Sequence, residues 1–233
     1  MPFAARLAQF LQLLRRHGRV AARAWPRLGQ WLALCAALQG AVRREGQLYE
    51  AEIAGIAVPD DPLFVVGHWR SGTTYHYLLA LDREGFAFPS NYQCLFPTVF
   101  LTLGERSWLY RQLAARLPPT RPMDRVVWDL ATPQEDELVY LSEGGSNPFH
   151  ESMLFPRTAR VDAGTFLKQS TDARTRDITL RFFRKLTFAH GRRLVVKSPG
   201  HLFGSRCCGR CSRRAASSSS SATPARWCRR WST

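Results

Sequence analysis

The architecture of this chain is set by residues 62–74, which read Pro62-Leu63-Phe64-Val65-Val66-Gly67-His68-Trp69-Arg70-Ser71-Gly72-Thr73-Thr74. Residues 63–66 form the short apolar, β-prone run that is typical of a buried parallel strand. Gly67 and Gly72 bound a loop of the strand–GxxxxGK[ST]–helix type, in which backbone N–H groups and the following helix N-terminus form a cradle for an anion. The stretch therefore predicts a strand that runs into an anion-binding loop.

The residues inside this loop narrow the kind of anion that it binds. Thr73 stands where the nucleotide-binding loop has its lysine, which disfavours hydrolysis of a nucleoside triphosphate. Arg70 can supply the cation instead, and Ser71, Thr73 and Thr74 can supply hydroxyl donors. The plain alternative is a glycine-containing turn without a ligand. The apolar strand before the loop and the helical pattern at 73–81 favour ligand binding.

The rest of the body predicts strands that alternate with helices. Residues 193–197 form a second apolar run, and Ile178 to Ala189 has the period of an amphipathic helix. Residues 2–50 also have a helical pattern, which is more typical of helices packed on a domain than of helices on a membrane surface. The segment 132–138 predicts a helix start with Thr132 as its cap. The fold class expected is α/β, with a parallel sheet flanked by helices in three layers.

The composition fits one globular domain that carries an unusual tail. The chain has 233 residues, is 45% hydrophobic and has a formal net charge of +15. Seven arginines and no acidic residue follow Gly204, so the tail contributes seven of the fifteen excess positive charges. Four of the six cysteines also lie in the tail, which argues against a disulfide framework for the body. No apolar run reaches the roughly 20 residues of a membrane span, and we expect a cytoplasmic protein that needs no metal.

Several blocks in sequence order resemble the sulfotransferases that use 3'-phosphoadenosine 5'-phosphosulfate, and in particular a bacterial-type branch of that superfamily. The loop at 64–74 looks like the phosphosulfate loop of that family, which commonly reads Lys-Ser-Gly-Thr-Thr or Arg-Ser-Gly-Thr-Thr. The likeness continues through the blocks at 92–94, 120–124, 133–137 and 197–199. It covers residues from about Pro62 to His201 and implies the P-loop-like sulfotransferase fold.

The resemblance implies roles for individual residues. The 5'-phosphosulfate would be held by Arg70, Ser71, Gly72, Thr73 and Thr74, with Arg70 stabilising the charge that develops on the bridging oxygen. Transfer also needs a base for the proton of the acceptor hydroxyl or amine, and the favoured candidates are Glu135 and Glu137, followed by His201 and His68. The acidic cluster could equally be a cap on a helix N-terminus. Lys197 ends a strand where α/β sheets bind ligands and is expected to contact the sulfuryl group or the acceptor.

The tail from Gly204 reads as an out-of-frame sequence. If each codon is formed from the last base of one codon and the first two of the next, Cys207-Cys208 becomes leucine and the serines at 217–221 can become valines. A coherent rendering contains a valine run followed by Arg-Asp-Pro, which resembles the 3'-phosphate motif of the family. We therefore expect that the frame slipped between about Leu202 and Arg206. A metal-binding cysteine cluster and a basic nucleic-acid-binding tail are the alternatives.

These observations divide the chain into a helical segment at 1–58, a partial sulfotransferase core at 59–203, and a disordered basic tail at 204–233. The function expected is sulfuryl transfer to a small-molecule, lipid or carbohydrate acceptor, impaired in the chain as it stands. Peripheral membrane contact through the N-terminal helices is open, and no specific nucleic acid is expected. The competing functions are a P-loop kinase or nucleoside triphosphatase, and a basic nucleic-acid-binding protein.

Overall fold

The computed structural model describes residues 7–18, 22–58, 62–67, 85–120, 127–159 and 161–201. In these ranges the helices are α1 (Leu7–His17), α2 (Trp25–Gly55), α3 (Asn91–Leu95), α4 (Trp108–Ala114), α5 (Val139–Ser142), α6 (Pro148–Leu154), α7 (Ala163–Thr171) and α8 (Ala173–His190). Two short 3-10 turns are Ala22–Ala24 and Asp136–Leu138. The strands are β1 (Leu63–Val65), β2 (Phe86–Ala87) and β3 (Arg193–Lys197).

The three strands form a parallel sheet in the order β1-β3-β2. The central strand β3 has the bounds that the sequence predicted, and its residues Leu194, Val195 and Val196 are completely buried. Strand β1 ends one residue before the predicted end, where Val66 is 45% exposed and leaves the sheet. The predicted α/β class with a parallel sheet is confirmed.

Helix α8 covers the sheet and carries much of the core. Asp172 caps its first turn by accepting a hydrogen bond from the backbone N–H of Thr175, and Gly191 ends it at φ 61°, a left-handed conformation that favours glycine. Phe182, Phe183 and Leu186 are buried on the inner face. The predicted amphipathic helix is confirmed and extends by several residues at its N-terminus.

The long helix α2 packs against α8 through a buried ion pair. Lys185 Nζ lies 2.5 Å from Glu45 Oε1, and the two side chains are only 2% and 4% exposed. The other carboxylate oxygen of Glu45 accepts the backbone N–H groups of Leu101 and Thr102, both at 2.9 Å. Two buried charges are thus paired and hydrogen-bonded, which is the condition under which burial of charge is tolerated.

Helix α1 is attached to the domain through His17. Its ring stacks on Phe155, with centroids 4.5 Å apart, and its nitrogens contact Glu151 and Thr158, both at 3.1 Å. The N-terminal helices thus pack on the domain. In the part of the chain that the structure describes, no helix is long and apolar enough to cross a membrane. The predicted division at residues 58 and 203 stays a prediction.

Candidate active site at the carboxyl edge of the sheet

The candidate site lies where β1 and β3 end side by side. Val65 at the end of β1 is the register partner of Lys197 at the end of β3. Gly67, the first residue of the predicted loop, follows two residues later. In open parallel sheets, ligands bind at this carboxyl edge. The predicted loop residues Arg70, Ser71, Gly72, Thr73 and Thr74 lie outside the described residues, as does His68.

Lys197 forms an ion pair with Glu135 across this edge. The distance from Lys197 Nζ to Glu135 Oε1 is 2.6 Å, and the side chains are 8% and 24% exposed. The structure therefore brings together two of the residues that the sequence singled out from distant positions. Of the two, the glutamate retains the greater access to solvent and hence to a ligand.

The segment that carries Glu135 is held in place by hydrogen bonds to the start of α3. A β-bridge pairs Ser90 with Pro133, and the backbone N–H of Gln134 donates to the Pro89 carbonyl at 2.9 Å. The Gln134 side chain donates to Asn91 Oδ1 at 2.6 Å. These hydrogen bonds fix the backbone immediately before Glu135 and so determine where the Glu135 carboxylate lies.

The prediction that Thr132 caps a helix is wrong. The backbone N–H of Thr132 donates to Asp129 Oδ1 at 2.7 Å, and its hydroxyl donates to the Asp129 carbonyl at 2.9 Å. Thr132 thus closes a turn around Asp129, a local side-chain interaction that competes with helix formation. The helical turn begins at Asp136, with Glu135 at its N-cap position.

The two acids after Glu135 enclose His201. The Nε2 atom of His201 lies 2.9 Å from Asp136 Oδ1, and Nδ1 lies 3.5 Å from Glu137 Oε1. All three side chains are buried, at 5%, 1% and 9% exposure. Phe64 of β1 also contacts His201 edge-on, with ring centroids 5.3 Å apart. His201 therefore lies buried between Phe64 of β1 and residues 135–138, which we call the acidic turn.

Burial raises the pKa of Glu137 to about 7, and the negative charges of Asp136 and Glu135 act in the same direction. Nearby His201 and a hydrogen bond from Ser198 oppose the rise. A carboxyl group in this state carries a proton over part of the neutral range. Glu137 thus gains or loses a proton near neutral pH.

Gly200 makes room for the Glu137 carboxylate. A Cβ atom at position 200 would overlap both oxygens of that carboxylate. The backbone of Gly200 has no left-handed φ, so the constraint is the space beside Glu137. The close approach connects the residues after β3 with the acidic turn.

The geometry separates the predicted acids into two groups. Glu135 is partly exposed and paired with Lys197, whereas Glu137 is buried against His201 and Gly200. The sequence analysis did not single out Asp136, whose carboxylate contacts His201. The two residues are 65 positions apart in the chain, and no local pattern connects them. Also missed was Asn147, whose side-chain amide donates to the Glu137 carbonyl at 3.2 Å. The catalytic roles of Glu135, Glu137 and Lys197 stay predictions.

Comparisons with known proteins show which proteins this chain is similar to. No protein-family model matches the chain. It is 30% identical over 161 residues to the omega-hydroxy-beta-dihydromenaquinone-9 sulfotransferase Stf3 of Mycobacterium bovis and, equally, to that of Mycobacterium tuberculosis. The match covers 67% of this chain and 40% of the length of those relatives.

A solved structure shows the same fold. The crystal structure of sulfotransferase STF9 from Mycobacterium avium superimposes with a TM-score of 0.54 at 17% sequence identity. The superposition covers 90% of this chain and 60% of that one. At this identity the likeness concerns the fold, and it confirms the predicted α/β architecture of the sulfotransferase type.

Proposed function

From the homology of this chain to the mycobacterial sulfotransferases we propose that it serves in an enzyme that transfers a sulfuryl group to an acceptor. The observation that carries the proposal is the parallel pairing of β1 with β3. It brings Gly67, the first residue of the predicted anion-binding loop, close to the strand end that carries Lys197, which pairs with Glu135. A cation, a carboxylate and a loop rich in donors at one edge are what transfer from an anionic donor requires.

The donor that we propose is 3'-phosphoadenosine 5'-phosphosulfate. The loop residues Arg70, Ser71, Gly72, Thr73 and Thr74 would hold its 5'-phosphosulfate through backbone N–H groups, hydroxyls and one guanidinium. Support comes from the sequence of the loop, in which Thr73 stands where the nucleotide-binding loop has its lysine and Arg70 can supply the cation, and from the strand that precedes it.

In the reaction that we propose, the acceptor oxygen attacks sulfur and forms the new S–O bond, while the bond from sulfur to the bridging oxygen of the donor breaks. The electron pair of that bond stays with the phosphate, where Arg70 stabilises the charge. The acceptor proton passes to a carboxylate, and Glu135 is the favoured base because it keeps 24% of its side chain exposed.

Lys197 and Glu137 have different parts in this proposal. Lys197 orients the Glu135 carboxylate through their 2.6 Å contact and faces the oxygens of the sulfuryl group. Glu137 and His201 are too enclosed to meet an acceptor directly, so they support the strand end. Glu137 can also receive a proton, because its pKa is about 7.

The acceptor that we propose is a hydroxyl group of a small molecule or lipid. Support comes from the Stf3 relatives, whose name specifies a hydroxylated dihydromenaquinone. Peripheral membrane contact through α1 and α2 would suit a lipid acceptor. An amine or a carbohydrate acceptor stays open.

Sulfate transfer from ³⁵S-labelled 3'-phosphoadenosine 5'-phosphosulfate tests the proposal. The chain is assayed as it stands and with its reading frame restored after residue 202, and labelled ATP serves as the alternative donor. We expect transfer by the restored protein, a much weaker reaction by the chain as it stands, and no phosphoryl transfer from ATP. Phosphoryl transfer, or no use of the phosphosulfate donor by the restored protein, would contradict the proposal.

A matched pair of lysine variants tests the site. Loss of one positioned cation at a reacting centre typically costs about 10²- to 10³-fold in kcat, which we expect for Lys197→Met in the restored protein. Lys168→Met is the control, because Lys168 is exposed on α7 and lies outside the site. Equal activities of the two variants would remove Lys197 from the mechanism.

A further inference from the structure

His150 is a half-buried histidine that follows Asn147 near residues 135–138, and the mechanism so far does not use it. It is the third residue of α6, and its Nδ1 atom is buried without a hydrogen-bond partner. Among the described residues only three other side chains, those of Thr102, Gln169 and Thr187, also have such an atom. A buried polar atom without a partner is unfavourable, and a role in binding or catalysis is one explanation for its presence in a native structure.

The position of His150 relative to the acidic turn is fixed by Asn147. The Asn147 side chain donates to the Glu137 carbonyl at 3.2 Å and accepts the backbone N–H of His150 at 3.0 Å. One residue thus joins the start of α6 to the turn that carries Glu135 and Glu137. The ring of His150 is also in edge-on contact with Phe149, with centroids 5.5 Å apart.

The electrostatics of the ring agree with this placement. Burial lowers the pKa of His150, and the charge of Glu135 opposes that shift. His150 therefore lies within electrostatic reach of the carboxylate that pairs with Lys197. Since its ring is neutral at neutral pH, one nitrogen has a lone pair that can accept a hydrogen bond.

We propose that Nδ1 of His150 accepts a hydrogen bond from the acceptor hydroxyl and positions its oxygen beside Glu135. The inference rests on the proposed function and adds a residue that contacts the acceptor. The ligand class is an alcohol, because an ether or a hydrocarbon has no proton to donate. The proton of the ring then resides on Nε2, and no bond to His150 forms or breaks during transfer.

Binding of a model alcohol to the full chain tests the inference without requiring turnover. The probe is geraniol, a short prenyl alcohol, and its methyl ether is the matched ligand without a hydroxyl proton. We expect the wild-type chain to bind the alcohol about tenfold more tightly than the ether, as one hydrogen bond to an otherwise unpaired buried atom implies. In ¹⁵N-labelled protein, the alcohol but not the ether should shift the Nδ1 resonance of His150.

Three variants show which of the two ring nitrogens of His150 binds the alcohol. In His150→Phe the preference for the alcohol should disappear, whereas His150→Asn, whose amide places a polar atom near the position of Nδ1, should keep most of it. His150→Gln, which extends toward Nε2, should behave like His150→Phe. His190→Phe is the control, since His190 precedes β3 at the opposite end of the strand and contacts Gln93.

Binding of adenosine 3',5'-bisphosphate to the frame-restored protein distinguishes failure of this inference from failure of the proposed function. If that ligand binds wild type and His150→Phe equally but the alcohol preference survives in His150→Phe, only the role of His150 is wrong. A wild-type chain without any preference for alcohol over ether also overturns it. If the restored protein binds no bisphosphate, the proposed function fails independently. If His150→Phe does not fold, the resonance shift in the wild type decides.

Discussion

Replacement of Gly200 by alanine should destabilise the protein because the new methyl group has no space. Its Cβ would overlap the carboxylate of Glu137. That side chain cannot move aside freely, since it is 9% exposed and lies against His201, and its backbone carbonyl accepts a hydrogen bond from Asn147. The strand end and the acidic turn must therefore separate to admit the methyl group.

The size of the effect follows from the cost of overpacking. Insertion of a methyl group into a closely packed site typically costs about 1–3 kcal/mol, and the polar contact here places Gly200→Ala at about 2 kcal/mol. If the free energy of unfolding decreases by about 2 kcal/mol per molar urea, the urea concentration at the unfolding midpoint should fall by about 1 M. Gly40→Ala is the matched control in the exposed middle of α2, where a Cβ meets nothing within 4 Å. Its midpoint should rise, because alanine favours a helix over glycine by about 0.5–1 kcal/mol.

A double-mutant cycle identifies the cause. Urea unfolding is followed by far-ultraviolet circular dichroism for Gly200→Ala in the wild-type, Glu137→Ala and Glu137→Gln backgrounds. The penalty should fall below about 0.5 kcal/mol when Glu137 is truncated, and persist in the glutamine background, which retains the shape of the side chain. If Gly200→Ala is as stable as wild type, or costs as much without the Glu137 carboxylate, the argument from the close approach is refuted.

Three further predictions concern the acidic turn, the α2–α8 contact and the tail. Because burial raises the pKa of Glu137 from 4.5 to about 7, the unfolded chain ionises first, and stability should fall as pH rises between these values. In urea unfolding measured from pH 4.5 to 8, the midpoint of Glu137→Gln should depend less on pH than that of the wild type. An unchanged pH dependence would exclude Glu137 as the cause of the loss of stability. Lys185→Met leaves the buried Glu45 carboxylate without its cation and should cost about 3–5 kcal/mol of unfolding free energy, whereas Lys168→Met should cost little. Resequencing of codons 202–206 should reveal a shifted reading frame, and an intact frame on the coding strand would disprove the shift. Calorimetry should show that restoration of the reading frame strengthens binding of adenosine 3',5'-bisphosphate.

The fold was predictable where the local signals were strong. Strand β3 and helix α8 were recognised because a run of buried apolar residues and a regular apolar period depend on sequence alone. The start of the turn at Asp136 was not, because the Thr132 hydroxyl that would cap a helix instead bonds to Asp129 and Asn91, and no period reveals these contacts.

The candidate site was predictable as a set of residue types and not as a geometry. Glu135, Glu137 and Lys197 were singled out together, yet their spacing did not distinguish the exposed acid that pairs with Lys197 from the buried acid beside His201. His150 gave no signal, since an unpaired nitrogen is defined by the neighbours that it lacks.

By itself, then, the sequence determined the α/β class, the strand that leads into Gly67, the resemblance to the sulfotransferases and the unusual composition of the tail. These depend on residues close together in the chain, whose order is visible directly. Tertiary structure alone decided that Val65 and Lys197 are neighbours, that Glu135 and Glu137 have different surroundings, and that Gly200 must remain small. Each of these facts depends on parallel strand pairing and close packing between distant segments, which bring side chains together without leaving a local pattern.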